Sequence, residues 1–199
     1  PQLSAAEWKE CLHHVEQLQD ISYIVASGSL ATDVPEDFFA RLAFIAKQKN
    51  VKLVLDTSGL PLQLALREGV YMIKPNLGEL ASLVNKNELT IETAITAARE
   101  IIEKRQAEVV VVSMGASGAL LVTKLESVHF TAPVVKIRSV VGAGDSMVAG
   151  MVYALNSGEG LKNAVRFGVA CGTAATMNEG TALCRKTDVD YLVPLIKEV

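Results

Sequence analysis

The chain has 199 residues, of which 50% are hydrophobic and only 5% aromatic, and it carries a formal net charge of −3. This length is enough for one large domain, or a domain and a half, with a sizeable buried core. The slightly acidic balance, without any run of Lys and Arg, argues against nucleic acid and against a membrane surface as partners. No apolar stretch approaches the length needed to span a bilayer.

The first two thirds of the chain alternate between helical and extended patterns. The first helix is predicted to start at Ser4, because Ser4 and Glu7 form a capping box ahead of apolar residues at helical spacing. Strands are predicted at YIVAS, VKLVLD, YMIKPN and AEVVVVS, and the helices between them at VPEDFFARLAFIAKQ, LPLQLALREG, LGELASLV and IETAITAAREIIEKR. This alternation predicts an α/β fold with a mostly parallel central sheet and helices on both faces.

The last third has a different pattern. AEVVVVSMGASGALLVT indicates a strand, a glycine-rich turn and a second strand, and SVHFTAPVVKIRS indicates further extended chain. Three helices are predicted to follow, at residues 144–156, about 160–176 and 188–198. The histidines lie in no recognisable catalytic pattern, and we assign them no role.

Cysteine usage indicates a reducing environment. The three cysteines, Cys11, Cys171 and Cys184, are odd in number and show no C-x-x-C spacing. A disulfide framework and a zinc site are therefore disfavoured, and the cytoplasm is the expected compartment. Cys171 lies in an apolar helical pattern, which predicts a small buried residue. The chain begins at Pro1 rather than Met, which is compatible with a fragment.

Polar residues and glycines follow several of the predicted strands. In parallel sheets, ligands bind outside the carboxyl ends of the strands. We therefore expect one shared edge for the following residues: Asp56, Lys74, Asn76, Ser113, Gly115 and Asp145.

The stretch Gly142-Ala143-Gly144-Asp145 precedes an apolar helix. Glycines let the backbone approach a ligand closely, and the first N–H groups of a helix bind anions such as phosphate. A carboxylate beside a phosphate can accept a proton from an attacking hydroxyl, although it can equally be a turn residue that complements the helix dipole. Dinucleotide binding is disfavoured because Met147 replaces the third glycine of G-x-G-x-x-G, and no Walker A pattern occurs.

Two further motifs support the same chemistry. In KPNLGEL, Asn76 and Glu79 can organise hydrated Mg²⁺ or phosphate oxygens, but a glutamate in a first helical turn is also ordinary dipole chemistry. In SMGASG, residues 113–118, the turn can present backbone amides to a nucleotide or simply join two strands.

Taken in order, KPNLGEL, VVVVSMGASGALLV and SVVGAGDSMVAG resemble the ribokinase-like sugar kinases of the phosphofructokinase-B branch, and RFGVACGTAATMNEGTALC is similar to the region that follows the signature. The resemblance runs from about residue 20 to the C-terminus. It implies that Asp145 is the base that deprotonates the sugar hydroxyl, and that the amides of Gly142, Ala143 and Gly144 stabilise the transferring phosphoryl group.

The resemblance also implies binding sites for ATP, Mg²⁺ and a monovalent cation such as K⁺. Lys74 would neutralise phosphate charge, and Asn76 and Glu79 would organise Mg²⁺, with Asp56 facing the phosphate or metal region. The nucleotide site would contain Ser113, Gly115, Ser117, Gly118, Gly172, Thr173 and Asn178. The monovalent cation would lie at Ser139, Val141, Ala175, Asn178 and Gly180.

The chain departs from the family pattern at its beginning. Members carry first strands, a Gly-Gly sugar-binding segment and a β-sheet lid that often forms a dimer interface, and none of these is in the chain. Residues 1–199 would therefore be the C-terminal nucleotide-binding and catalytic part of the kinase domain, with a homodimer formed through the absent lid. Because a lid excludes water from phosphoryl transfer, we expect the 199 residues alone to bind nucleotide but phosphorylate sugar poorly.

The implied reaction is ATP-dependent phosphorylation of the 1-hydroxyl of fructose 6-phosphate. Ser139-Val140-Val141-Gly142 resembles the phosphosugar branch more than ribokinase or adenosine kinase. Tagatose-6-phosphate kinase and 1-phosphofructokinase activities remain alternatives, because these enzymes differ in sugar contacts, most of which would lie in the absent N-terminal part. Two hypotheses outside the sugar kinases also remain. One is a non-catalytic nucleotide-binding module, and the other is a dinucleotide-dependent oxidoreductase, which the missing third glycine disfavours.

Overall fold

The computed structural model describes residues 2–199. Within the chain, two compact units are distinguished by their internal contacts: the first ends at Val110 and the second runs from Val111 to Val199. Each is described by itself.

The first unit contains a parallel sheet. Its strands are β1 (Tyr23–Ser27), β2 (Lys52–Asp56), β3 (Val70–Ile73) and the beginning of β4 (Ala107–Ser113), and each pairs in parallel with the next. Leu53, Val54 and Leu55 are consecutive and all buried. Because neighbouring side chains of a strand point to opposite faces, both faces of β2 are covered, as parallel sheets require.

Helix α1 (Ala5–Gln17) precedes β1, and four helices connect the strands: α2 (Phe38–Gln48), α3 (Gly59–Glu68), α4 (Leu77–Leu83) and α5 (Ile91–Glu103). Three of the five helices begin with a capping box, at Ser4, Asn76 and Thr90, and the box predicted at Ser4 is thereby confirmed. Gly69 ends α3 with a positive φ of 82°, as its place at the end of LPLQLALREG predicts.

The second unit continues from the end of β4 through a short 3₁₀ turn (Gly115–Ser117) to an antiparallel arrangement of β5 (Ala119–Val122), β6 (Ser127–Thr131) and β7 (Lys197–Glu198). All four residues of β5 are buried, and Phe130 of β6 is fully buried.

Its helices are α6 (Ala143–Asn156), α7 (Leu161–Thr176) and α8 (Lys186–Leu192), followed by a 3₁₀ turn at Val193–Leu195. Glycines let α6 and α7 approach closely. A Cβ atom on Gly150 would lie 2.6 Å from Sγ of Cys171, and one on Gly168 would lie 2.5 Å from Cγ of Met151. The buried Cys171 thus packs at the α6–α7 contact, which confirms its predicted burial.

Three sequence predictions need correction. The helix predicted at residues 188–198 starts at Lys186 and ends at Leu192, because Pro194 has no backbone N–H and interrupts the helical hydrogen bonding. The helix predicted from Val34 begins only at Phe38, with Pro35 in the preceding turn.

The third correction concerns the extended chain before Asp145. Only Ser127–Thr131 is a strand, so Asp145 does not directly follow a strand end. Pro133 cannot donate to a ladder, and the N–H groups of Arg138 and Ser139 donate to the carbonyl of Thr176 at 2.8 and 3.3 Å instead of to a strand.

Candidate active site

The glycine turn Gly142–Gly144 forms the start of α6. Gly142 is the N-cap residue and has a φ of +75°, in the left-handed region that favours glycine. Its carbonyl accepts the N–H of Ser146 at 2.9 Å, which closes the first helical turn. Asp145 lies in this first turn, at the start of the 14-residue helix α6, and is exposed. The N–H of Ala143 donates to the carbonyl of Val140 at 3.3 Å.

A cavity of about 300 Å³ adjoins this turn within the second unit. Its lining includes seven of the residues that the resemblance places around the nucleotide or the transferring phosphoryl group: Ser113, Gly115, Gly118, Ala143, Gly144, Gly172 and Thr173. The remaining wall is mainly apolar and comes from the segment after β6 and from α7, including Val134, Ile137 and Val169. An apolar cavity with a few backbone amides at one end suits a planar base joined to phosphates.

The turn at residues 113–118 is held in place by close backbone contacts. The N–H of Met114 donates to the carbonyl of Gly118 at 2.8 Å. Nε2 of His129, on β6, lies 2.7 Å from the carbonyl oxygen of Ser117, so this ring nitrogen donates the hydrogen bond. Gly118 has a φ of +89°, and a Cβ on it would lie 1.9 Å from the carbonyl oxygen of Phe130. Only glycine fits at this position.

The C-terminal end of α7 provides the opposite wall. The hydroxyl of Thr173 donates to the carbonyl of Val169 at 2.8 Å, and that of Thr176 to the carbonyl of Thr173 at 2.7 Å. Asn178 is buried just beyond the helix and lies outside the described cavity lining. Its side-chain amide donates to the carbonyls of Ala174 and Leu183, both at 3.1 Å.

The residues predicted to hold a monovalent cation come together in the same unit. Oγ of Ser139 donates to the carbonyl of Gly180 at 2.7 Å and accepts the N–H of Val141 at 3.2 Å. The N–H of Asn178 donates to the carbonyl of Ala175 at 3.1 Å. Segments 138–141 and 175–180 therefore lie against each other.

In the first unit, the predicted phosphate and metal residues gather at the carboxyl ends of β2 and β3. Nζ of Lys74 lies 3.1 Å from Oδ1 of Asp56, and Lys74 is almost wholly buried, with 5% of its surface exposed. Asn76 and Glu79 form the capping box of α4: each side chain accepts the other residue's N–H at 2.8 Å. Both groups offer oxygen atoms, and the parallel pairing of β2 with β3 places them at one edge of the sheet.

A family model matches residues 1–188, and its description is pfkB family carbohydrate kinase. The chain belongs to the pfkB family.

Individual relatives agree with this membership. The pfkB-family chain is 39% identical to an ATP-dependent 6-phosphofructokinase isozyme 2 of Mycobacterium tuberculosis, over all of this chain and 58% of that protein. It is 34% identical to a 1-phosphofructokinase of Bacillus subtilis, over 99% of this chain and 64% of that protein. The crystal structure of Escherichia coli phosphofructokinase-2 in complex with potassium matches with a TM-score of 0.92 at 36% identity, over 97% of this chain and 63% of that one.

These matches confirm the ribokinase-like α/β fold class that the motifs predict. The chain spans about three fifths of the length of the relatives it matches. Across the residues that the structure describes, no helix is both long and apolar enough to cross a membrane.

Several residues of the candidate site were not identified from the sequence. His129 was given no role, yet it anchors the turn at Ser117. The apolar wall of the cavity, with Val134, Ile137 and Met147, was also missed. The only available signal was the apolar run APVVKI after β6, which is equally typical of a strand.

Proposed function

We propose that this chain is the catalytic and nucleotide-binding part of an ATP-dependent phosphosugar kinase that phosphorylates the 1-hydroxyl of fructose 6-phosphate. The observation that carries the proposal is the turn Gly142–Asp145: a positive-φ glycine, the start of a 14-residue helix and a carboxylate in its first turn, next to a cavity of about 300 Å³. Membership in the pfkB family supports a carbohydrate acceptor.

Asp145 is the proposed base. A carboxylate in the first turn of α6 is close to the N–H groups that would hold the transferring phosphoryl group. The attacking sugar hydroxyl must lose its proton as the new O–P bond forms, and an exposed carboxylate can accept that proton. The amides of Gly142, Ala143 and Gly144 would then stabilise the negative charge on the equatorial oxygens during transfer.

The cavity is the proposed site for the adenosine part of ATP. Its apolar wall would cover the two faces of the base, and its glycine turn at residues 115–118 would lie along the phosphates. The hydroxyls of Thr173 and Thr176 already bond to helix carbonyls, so shape and backbone groups are the main source of recognition here. Ser117, Gly172 and Asn178 would position this wall rather than supply charge.

The residues at the ends of β2 and β3 fit Mg²⁺. Among residues 2–199, no group of three or more His, Cys, Asp and Glu side chains is arranged to bind a metal ion by itself. Mg²⁺ in kinases is held by one or two carboxylates, waters and the substrate phosphates, so such a group is not required. Glu79, Asn76 and Asp56 offer the oxygen atoms, and Lys74 would neutralise phosphate charge. Bound Mg²⁺ would supply charge neutralisation at the phosphates.

The contact between segments 138–141 and 175–180 is the proposed site for a monovalent cation. The backbone oxygens of Val141, Ala175 and Gly180, with the side chains of Ser139 and Asn178, are the proposed ligands. The E. coli relative was solved in complex with potassium, which supports K⁺ as the ion. Because Ser139 to Val141 leads directly into Gly142, the ion would stabilise the turn that carries the base.

Fructose 6-phosphate ranks first because the Mycobacterium relative, similar over this whole chain, is a 6-phosphofructokinase. The 1-phosphofructokinase relative supports fructose 1-phosphate as the alternative acceptor, with the same chemistry at Asp145. Tagatose 6-phosphate is a third candidate. A dimer or a larger assembly is also proposed, since the E. coli relative has a tetrameric inhibited form.

The test is a measurement of ADP release by this chain and by the protein expressed from the full open reading frame that encodes it. Mg-ATP is supplied with fructose 6-phosphate, fructose 1-phosphate, tagatose 6-phosphate, ribose or adenosine. Asp145→Asn should lower turnover by about 10²–10⁴-fold with little change in ATP affinity. Asp188→Asn is the matched control, because Asp188 also lies in the first turn of a helix in the same unit.

Each outcome separates the candidate functions. A preference for another phosphosugar keeps the mechanism and changes the substrate. ATP binding without ADP release on any acceptor, by the protein expressed from the full open reading frame, favours the non-catalytic module. Near-normal turnover by Asp145→Asn contradicts the role of this carboxylate.

A further inference from the structure

We propose that Cys171 and Cys184 form a reversible disulfide that ties the segment after α7 back onto that helix. The pair lies outside the proposed base and phosphate groups, and both residues belong to the second unit. The inference does not depend on the proposed kinase function, because the bond is detected without any assay of activity.

The fold brings the two cysteines together across a short loop. Cys171 lies on α7, one helical turn before Ala174. Cys184 follows Leu183, and the amide of Asn178 donates simultaneously to the carbonyls of Ala174 and Leu183 at 3.1 Å each. The loop therefore folds back along the last turns of α7 and brings Cys184 near Cys171, and this neighbouring thiol contributes to the raised pKa of Cys171.

The two thiols differ in access to an oxidant. Cys171 is 4% exposed, and burial, the larger cause, together with the neighbouring Cys184 raises its pKa to about 12. Cys184 is partly exposed. The oxidant must reach the thiol that it oxidises. Cys184 is therefore oxidised first, and Cys171 is the resolving thiol that then forms the disulfide.

The reaction balances with hydrogen peroxide as the oxidant. The Cys184 thiolate attacks one peroxide oxygen, the O–O bond breaks, and the departing hydroxide takes up a proton to give water. Cys184 is now a sulfenic acid. The sulfur of Cys171 attacks the sulfur of Cys184, the S–O bond breaks, and the hydroxide leaves with the Cys171 proton as a second water. Two thiols lose two electrons in total, and one peroxide gains them; a thiol reductant reverses the bond.

The consequence is local to the proposed active site. Leu183, next to Cys184, lies against Gly142: a Cβ on that glycine would lie 3.5 Å from Cδ2 of Leu183. Oγ of Ser139 holds the carbonyl of Gly180 in the same loop. Tying Cys184 to α7 would fix this loop against the turn that precedes Asp145. Transient disulfides of this kind are the form expected in a reducing compartment.

Mass spectrometry tests the bond directly. No Lys or Arg separates Phe167 from Arg185, so both cysteines fall in one tryptic peptide, residues 167–185. After peroxide, denaturation and alkylation, this peptide should lose about 2 Da, because two hydrogens leave, and take up no alkyl group. The thermal midpoint should rise by about 5 °C, since a loop of this size is then closed in the unfolded chain, and a thiol reductant should reverse both changes.

Cysteine-to-serine variants identify which two residues form the disulfide. Cys184→Ser, at a partly exposed position, should abolish the mass loss, and Cys11→Ser, at an exposed position on α1, should leave it unchanged. Cys171→Ser should convert Cys184 to an alkylation-resistant sulfinic acid rather than a disulfide. Persistence of the 2 Da loss in Cys184→Ser would overturn the proposal. So would a wild-type protein in which peroxide oxidises Cys184 while Cys171 remains fully alkylatable.

Discussion

Replacement of Gly118 by alanine tests how tightly the turn beside the cavity is built. The backbone of Gly118 has a φ of 89° and a ψ of −130°, a conformation that L-residues rarely adopt. An added Cβ would lie 1.9 Å from the carbonyl oxygen of Phe130 and 2.8 Å from the backbone nitrogen of Ala132. Neither atom belongs to a flexible side chain. The strand must therefore move if the methyl group is to fit.

Gly158 provides a matched control. Its φ is +87°, almost equal to that of Gly118, but a Cβ there would meet nothing within 4 Å. Gly158→Ala should lower the free energy of unfolding by about 1 kcal/mol through backbone strain alone. Gly118→Ala adds the displacement of Phe130, which is fully buried and paired with Ala119. Overpacking and weakened strand hydrogen bonds bring its expected loss to about 4 kcal/mol.

Urea denaturation of both variants measures this difference. Circular dichroism follows both units, whereas fluorescence of the single tryptophan, Trp8, follows only the first unit. Gly118→Ala should shift the dichroism midpoint much further than Gly158→Ala does, and it should weaken ATP binding because residue 118 lines the cavity. Equal losses in the two variants, within about 1 kcal/mol, would refute the argument that the close approach to Phe130 requires glycine.

Three other changes address the first unit. Asn76→Ala should lower the free energy of unfolding by about 1 kcal/mol, because the N–H of Glu79 loses its acceptor, and Asn76→Asp should restore most of this in urea denaturation. Lys74→Met should cost about 2 kcal/mol by leaving the Asp56 carboxylate without its ammonium partner, and adding Asp56→Asn should recover part of that loss in a double-mutant cycle. Burial raises the pKa of Tyr71 to about 12, so the folded state keeps its phenol proton where the unfolded state loses it; stability should decline between about pH 10 and pH 12, and Tyr71→Phe should flatten this decline in urea titrations.

The elements that sequence predicted well are those fixed by local chemistry. The capping box at Ser4 satisfies backbone groups within a few residues, and Gly69 ends α3 through its own positive φ, so their signal is contained in the local sequence. The helix predicted at 188–198 was wrong in its C-terminal part. The prediction followed the helical spacing of the apolar residues, whereas Pro194, which has no backbone N–H, interrupts the helix. The two-residue strand β7 depends on pairing with β6, far away in sequence, and had no local signal.

The same distinction applies to the candidate site. The turn Gly142–Asp145 is recognisable because its chemistry is local: a positive-φ glycine and the first turn of the helix that follows. The requirement for glycine at position 118 comes instead from Phe130, on the next strand but one, and the role of His129 comes from its contact with Ser117. Both contacts connect the turn to β6, so the cavity depends on the antiparallel pairing of β5 with β6 as much as on the motif itself. A substitution on β6 that leaves every motif residue unchanged should therefore disturb nucleotide binding, because it alters the strand to which the turn is anchored.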